Sequence, residues 1–155
     1  MHLKLALILV LSFFASQVYG DGFGSIVAEK DDLLKRIQCS RQSTTPAGDG
    51  LGSLWGCYNR TEDVKLWINE QVSNRNTVKN VKLMVVNYHG SKMDITGRIW
   101  GGIIAENYGG SNADKIKSVF KECAAEQKFA DKLTVLVTCT KGPKADEHMI
   151  VVTSK

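Results

Sequence analysis

Four cysteines, at positions 39, 57, 123 and 139, constrain this chain more than any other feature. Whether they are thiols, metal ligands or disulfides decides how much of the fold is cross-linked, and the N-terminal segment bears on the answer. Met1 to Lys4 form a short basic start, residues 5–15 an apolar core, and Val18 and Gly20 occupy the −3 and −1 positions before a polar Asp21. That pattern is a secretory signal cleaved after Gly20. Ser12, Ser16 and Gln17 interrupt the run well short of the roughly 20 apolar residues that a membrane span needs. The expected product is residues 21–155, a single globular domain, secreted and extracellular, with no membrane span in the mature chain. In that oxidising compartment cysteines pair.

Four cysteines allow three pairings, and phase favours one of them. Cys123 follows Val119 by four residues on a helical stripe, and Cys139 extends the alternating row Leu133, Val135, Val137. Both side chains therefore point into the space between a helix and a sheet. Cys39 and Cys57 bracket a turn-rich stretch, and closing a loop of about 15 residues contributes about 3 kcal/mol in the chain-entropy model. The expected bridges are Cys39–Cys57 and Cys123–Cys139. The spacings contain no Cys-x-x-Cys unit, so no metal site and no cofactor are expected.

Hydrophobic periodicity sets the expected elements. Residues 25–39 read as a helix capped by Ser25, with Ile26, Val27, Leu33, Leu34 and Ile37 on one stripe. Residues 40–54 are rich in turn formers and read as a loop. A second helix is expected over 61–73, where Val64, Trp67, Ile68, Gln71 and Val72 recur at helical spacing. Residues 81–88 read as a strand. Residues 95–105 read as another, weakened by Gly97, Gly101 and Gly102. A third helix is expected over 112–127. Strands over 133–140 and 148–153, joined by a short Gly-Pro-containing connection, complete the chain as a hairpin. The resulting fold class is α+β: an antiparallel sheet of about four strands built from two hairpins, helices packed on one face, and two disulfides.

Candidate chemistry is sparse. Asn59-Arg60-Thr61 is the only N-glycosylation sequon, placed beside a disulfide cysteine. His89 and His148 are the two histidines left after the signal, and with Lys82, Lys92 or Lys144 they offer general acid–base groups for a phosphodiesterase-like hydrolase. Trp55, Trp67 and Trp100, with Tyr58, Tyr88 and Tyr108, offer rings for a small ligand, although the helical phase of Trp67 assigns it to the core. No Gly-x-Ser-x-Gly or His-Glu-x-x-His motif is present. The net charge of +4 is mild and falls by one with Lys4. Lys115, Lys117, Lys121, Lys128 and Lys132 read as a solvated face rather than a nucleic-acid footprint. The function expected is an extracellular binding or interaction protein whose partner is a protein or small ligand. The alternatives are a small secreted hydrolase using His89 and His148, or a secreted inhibitor or toxin, for which 40–56 is the natural target-binding loop.

Overall fold

The structure is a computed structural model, and it describes residues 22–155. The expected signal segment and its cleavage site at Gly20 lie outside the described residues. Helix α1 (Ile26–Leu34) is followed by four strands, β1 (Arg41–Thr45), β2 (Leu54–Tyr58), β3 (Val64–Glu70) and β4 (Val78–Tyr88). Two helices come next, α2 (Ile95–Tyr108) and α3 (Ala113–Glu122), separated by one 3-10 turn. Three more strands, β5 (Gln127–Ala130), β6 (Thr134–Lys141) and β7 (Ala145–Thr153), end the chain. All seven strands form one sheet in the order β1-β2-β3-β4-β7-β6-β5, and every pairing is antiparallel. The first four strands are a meander, the last three a second one, and β7 joins the two by pairing with β4.

The expected four-strand α+β layer built from two hairpins is therefore corrected: the chain is mostly sheet, with three short helices among the described residues. Each departure has a local cause. Residues 64–70 are a strand because Val64, Leu66, Ile68 and Glu70 alternate into the interior. The same seven residues also satisfy a helical spacing through Val64, Trp67 and Ile68, and β-branched and aromatic residues tip such a tie toward strand. Residues 95–105 belong to a helix. Gly97, Trp100, Gly101, Ile104, Ala105 and Tyr108 are buried at helical intervals, and Asp94 caps the start by accepting the Thr96 N–H at 2.8 Å. β1 escapes notice because it is polar and mostly exposed, an edge strand with no apolar alternation.

The core lies on one side of the sheet, where Leu66, Ile68, Val81, Leu83, Val85, Ile150 and Val152 are sealed from solvent. Helix α1 reaches β3, α2 reaches β4 and β7, and α3 reaches β6 and β7. Burying each such aliphatic side chain is worth roughly 1.5–3 kcal/mol. On the other side, Trp67, Asn69, Asn80, Lys82 and Met84 are only partly covered. Two disulfides are present, Cys39–Cys57 and Cys123–Cys139, with Cα atoms 5.3 and 5.1 Å apart. This is the pairing that phase favours. α3 stops at Cys123 and not near 127: Cys123 takes the left-handed conformation on which helices commonly end, at φ 50°, and its bridge ties that end to β6. No helix among the described residues is long and apolar enough to cross a membrane.

Candidate functional site

The two histidines occupy very different surroundings. His148 points inward from β7 and is 2% exposed, while His89, just past the end of β4, is half-exposed. Asp146 lies close to both: His89 Nε2 stands 3.1 Å from its Oδ1, and a His148 ring nitrogen lies within 4.8 Å of a carboxylate oxygen. The His89 hydrogen bond, then that from Lys141, holds the Asp146 carboxyl below its usual range. His148 Nδ1 is 2.6 Å from the carbonyl oxygen of Phe120, so that nitrogen carries the proton and donates to an end carbonyl of α3. Neither histidine lines any of the five cavities described among residues 22–155.

Asn59 sits in the β2–β3 turn. Its Oδ1 accepts the Val64 N–H at 3.0 Å, and its Nδ2 donates to the Thr61 hydroxyl at 3.1 Å. Thr61 is thus a turn residue and not the start of the helix expected over 61–73. Asn59 lines a cavity of about 450 Å³ with Arg36, Arg60, Ile99 and Trp100.

The open side of the sheet gathers Tyr58, Trp67 and the amides of Asn69 and Asn80, whereas Trp55, Trp100 and Tyr108 are buried in the core. Antiparallel register sets Ser43, Gly56, Trp67 and Lys82 in one cross-strand row, and Leu54, Asn69 and Asn80 in the next. Trp67, expected in the core, is partly exposed here because a strand sends neighbouring residues to opposite faces. Its ring has Lys82 Nζ 5.7 Å from the centroid, and its indole N–H donates to the Tyr58 hydroxyl at 3.3 Å. Tyr58 also meets Ser43 at 3.1 Å and carries the Arg41 guanidinium 4.0 Å over its ring. The Ser43 hydrogen bond first, then the Trp67 and Arg41 contacts, draw the Tyr58 phenol below its usual range. Asn69 Nδ2 donates to Asn80 Oδ1 at 2.7 Å, so the two amides form one hydrogen-bonded polar unit.

Two cavities, of about 300 and 410 Å³, share Leu54, Asn69 and Asn80 and together make one groove. It runs from Trp67 to the 45–52 loop, where Leu51 is 70% exposed, with Val72 beside it at 48%. The loop is preorganised. Asp49 and Gly50 both have positive φ, and Gly48 and Leu51 exchange backbone hydrogen bonds at 3.2 and 2.8 Å, the geometry of a type I′ turn. Glu70 fastens its base. One carboxylate oxygen accepts the Ser53 N–H at 2.8 Å, the other accepts the Asn76 N–H at 2.8 Å, and Arg75 adds a contact at 3.3 Å. Those backbone bonds, Asn76 first, hold the Glu70 carboxyl down at about 2.

The sequence points to residues 40–56 and to the tryptophans, but no local pattern brings Leu51, Trp67, Asn69 and Asn80 together. The usable signal was the alternation of residues 64–70, which puts Trp67 and Asn69 on the face opposite Leu66 and Ile68. Comparison with known proteins finds no matching family model, no matching curated protein and no matching solved structure.

Proposed function

We propose that the chain is a secreted, extracellular binding protein that receives its partner in the groove between Leu51 and Trp67. The two disulfides are compatible with an extracellular location. The observation that carries the reading is the groove itself: an exposed leucine and valine at one end, an accessible indole at the other, and a paired amide between them. Aromatic and apolar anchors with a few fixed polar groups are the usual chemistry of ligand sites. The partner is a small ligand or an extracellular protein segment. It presents an apolar or ring face to Trp67 and hydrogen-bonding groups to Asn69 and Asn80. Glu70 and the Asp49–Gly50 turn support recognition by ordering the loop before the partner arrives, which lowers the entropy cost of binding.

The groove is favoured over the 450 Å³ cavity at Arg36 and Ile99 because Asn59 lines the latter, where an N-linked glycan would stand. The hydrolase alternative draws less support, since His148 is sealed and neither histidine borders a described cavity. The test is parallel capture from the native extracellular fluid with immobilised wild type, a Leu51→Ser/Trp67→Ala variant and an Ile95→Ser/Ile99→Ser control. A component held by wild type and by the control but lost from the groove variant supports the reading. Retention by the groove variant overturns it.

A further inference from the structure

The Cys123–Cys139 bridge does not stand alone. Register sets Cys139 directly opposite His148 on the neighbouring strand, and Asp146 precedes His148 by two residues on the same face. One donor atom from each of Cys123, Cys139, Asp146 and His148 lies within 4.8 Å of all the others. Cys123 Sγ is 3.9 Å from Asp146 Oδ2. Among the described residues no comparable group of donors surrounds Cys39 and Cys57. His148 adds a second sign. Its Nδ1 proton is committed to the Phe120 carbonyl, which leaves Nε2 a bare acceptor, buried and without a partner. An unpaired polar atom in the interior is costly, and an imidazole held by a backbone carbonyl is how metal-binding histidines are commonly oriented.

We infer that Cys123, Cys139, Asp146 and His148 form a divalent-metal site of the zinc type, closed while the two cysteines are bridged and opened by their reduction. Two thiolates, an imidazole and a carboxylate are ligands that zinc accepts in tetrahedral geometry. A dithiol supplies two electrons and two protons: its own sulfurs become a disulfide, and the Cys123–Cys139 bond is replaced by two thiols. The metal ion then forms two metal–sulfur bonds, and the two thiol protons pass to solvent. With the carboxylate, the filled site carries one net negative charge. Lys141 offsets it, its Nζ standing 3.0 Å from Asp146 Oδ2. The inference does not depend on the groove. Fifteen residues separate the two cysteines, so only the fold brings the ligands together.

Cobalt(II) is the probe. The mature chain is reduced with dithiothreitol, desalted under argon and titrated, with circular dichroism following the sheet. The expected result is one equivalent bound with a sulfur-to-cobalt charge-transfer band and tetrahedral visible bands, displaced by one equivalent of zinc and absent from the oxidised chain. Cys39→Ser/Cys57→Ser retains the band, Cys139→Ser loses it, and Asp146→Asn binds at least ten-fold more weakly. If Cys139→Ser does not fold, Asp146→Asn decides. The inference is overturned by any of three results: no band in the reduced chain, a band of equal affinity in Asp146→Asn, or loss of the sheet on reduction that cobalt does not restore.

Discussion

Gly101 and Gly102 are neighbours in the middle of α2, yet a methyl group at each meets opposite surroundings. A Cβ at Gly101 would stand 2.5 and 2.7 Å from two ring carbons of Phe120 on α3, whereas a Cβ at Gly102 finds nothing within 4 Å. Phe120 is 3% exposed, so its ring has little room to give way. Replacing a mid-helix glycine by alanine gains about 0.8–1.0 kcal/mol of helix propensity at either position. At Gly101 the gain is opposed by overpacking, which typically costs about 1–3 kcal/mol. Gly102→Ala is therefore expected to stabilise by about 1 kcal/mol, and Gly101→Ala to destabilise by about 0–2 kcal/mol. Guanidinium unfolding with the disulfides intact reads the difference directly. Adding Phe120→Leu to Gly101→Ala relieves the clash and yields a favourable coupling of about 0.5 kcal/mol or more. Equal stabilisation by the two alanines, or zero coupling, would refute the close α2–α3 seat.

Cys123→Ala with Cys139→Ala is expected to lower stability by about 2–5 kcal/mol while leaving Cys39–Cys57 bonded; thermal melting and non-reduced peptide mapping check the two halves. Glu70→Gln should lower the melting temperature most above about pH 5. Because the folded-state carboxyl sits at about 2, below the unfolded value of about 4.3, its contribution is lost as pH falls through 4 toward 2. The gap between wild type and Glu70→Gln must narrow over that range, and a constant gap would show that the carboxylate charge is not what ties the loops. Processing and glycosylation are read together by mass spectrometry of eukaryotic secreted material. An N-terminus at Asp21 is expected, with one N-linked glycan that Asn59→Gln abolishes; retained Met1 or an unchanged mass after glycosidase contradicts one or the other.

What the sequence made legible depended on whether one period was consistent with a segment or two. Ile116, Val119 and Cys123 allow only the helical reading of α3, and Leu133, Val135, Val137 and Cys139 only the alternating reading of β6, so the bridge between them was visible in advance. Residues 64–70 satisfy both periods, and counting Trp67 instead of Leu66 as inward turns a strand into a helix. In α2 the glycines suggest a weakened strand, whereas Gly97 and Gly101 are contact points where the helix lies close to Val85 and Phe120. β1 lacks buried apolar residues and is defined by its hydrogen bonds to β2, which no local pattern encodes. The groove was illegible for the same reason as β3: until Trp67 is placed on a strand, it has no face to share with Asn69, Asn80 and Lys82. The proximity of Asp146 and His148 to the bridge likewise follows from the β6–β7 register and not from any spacing.

The claim that the groove receives the partner is tested most directly by lysine footprinting of the protein with and without its captured partner, read by mass spectrometry. Lys79 lines one end of the groove and Lys82 the other, whereas Lys117 and Lys121 border a separate cavity beside α2 and α3. The account predicts that acylation of Lys79 and Lys82 falls several-fold in the complex while Lys117 and Lys121 react as before. Unchanged labelling at Lys79 and Lys82, with protection at Lys117 and Lys121, would contradict it.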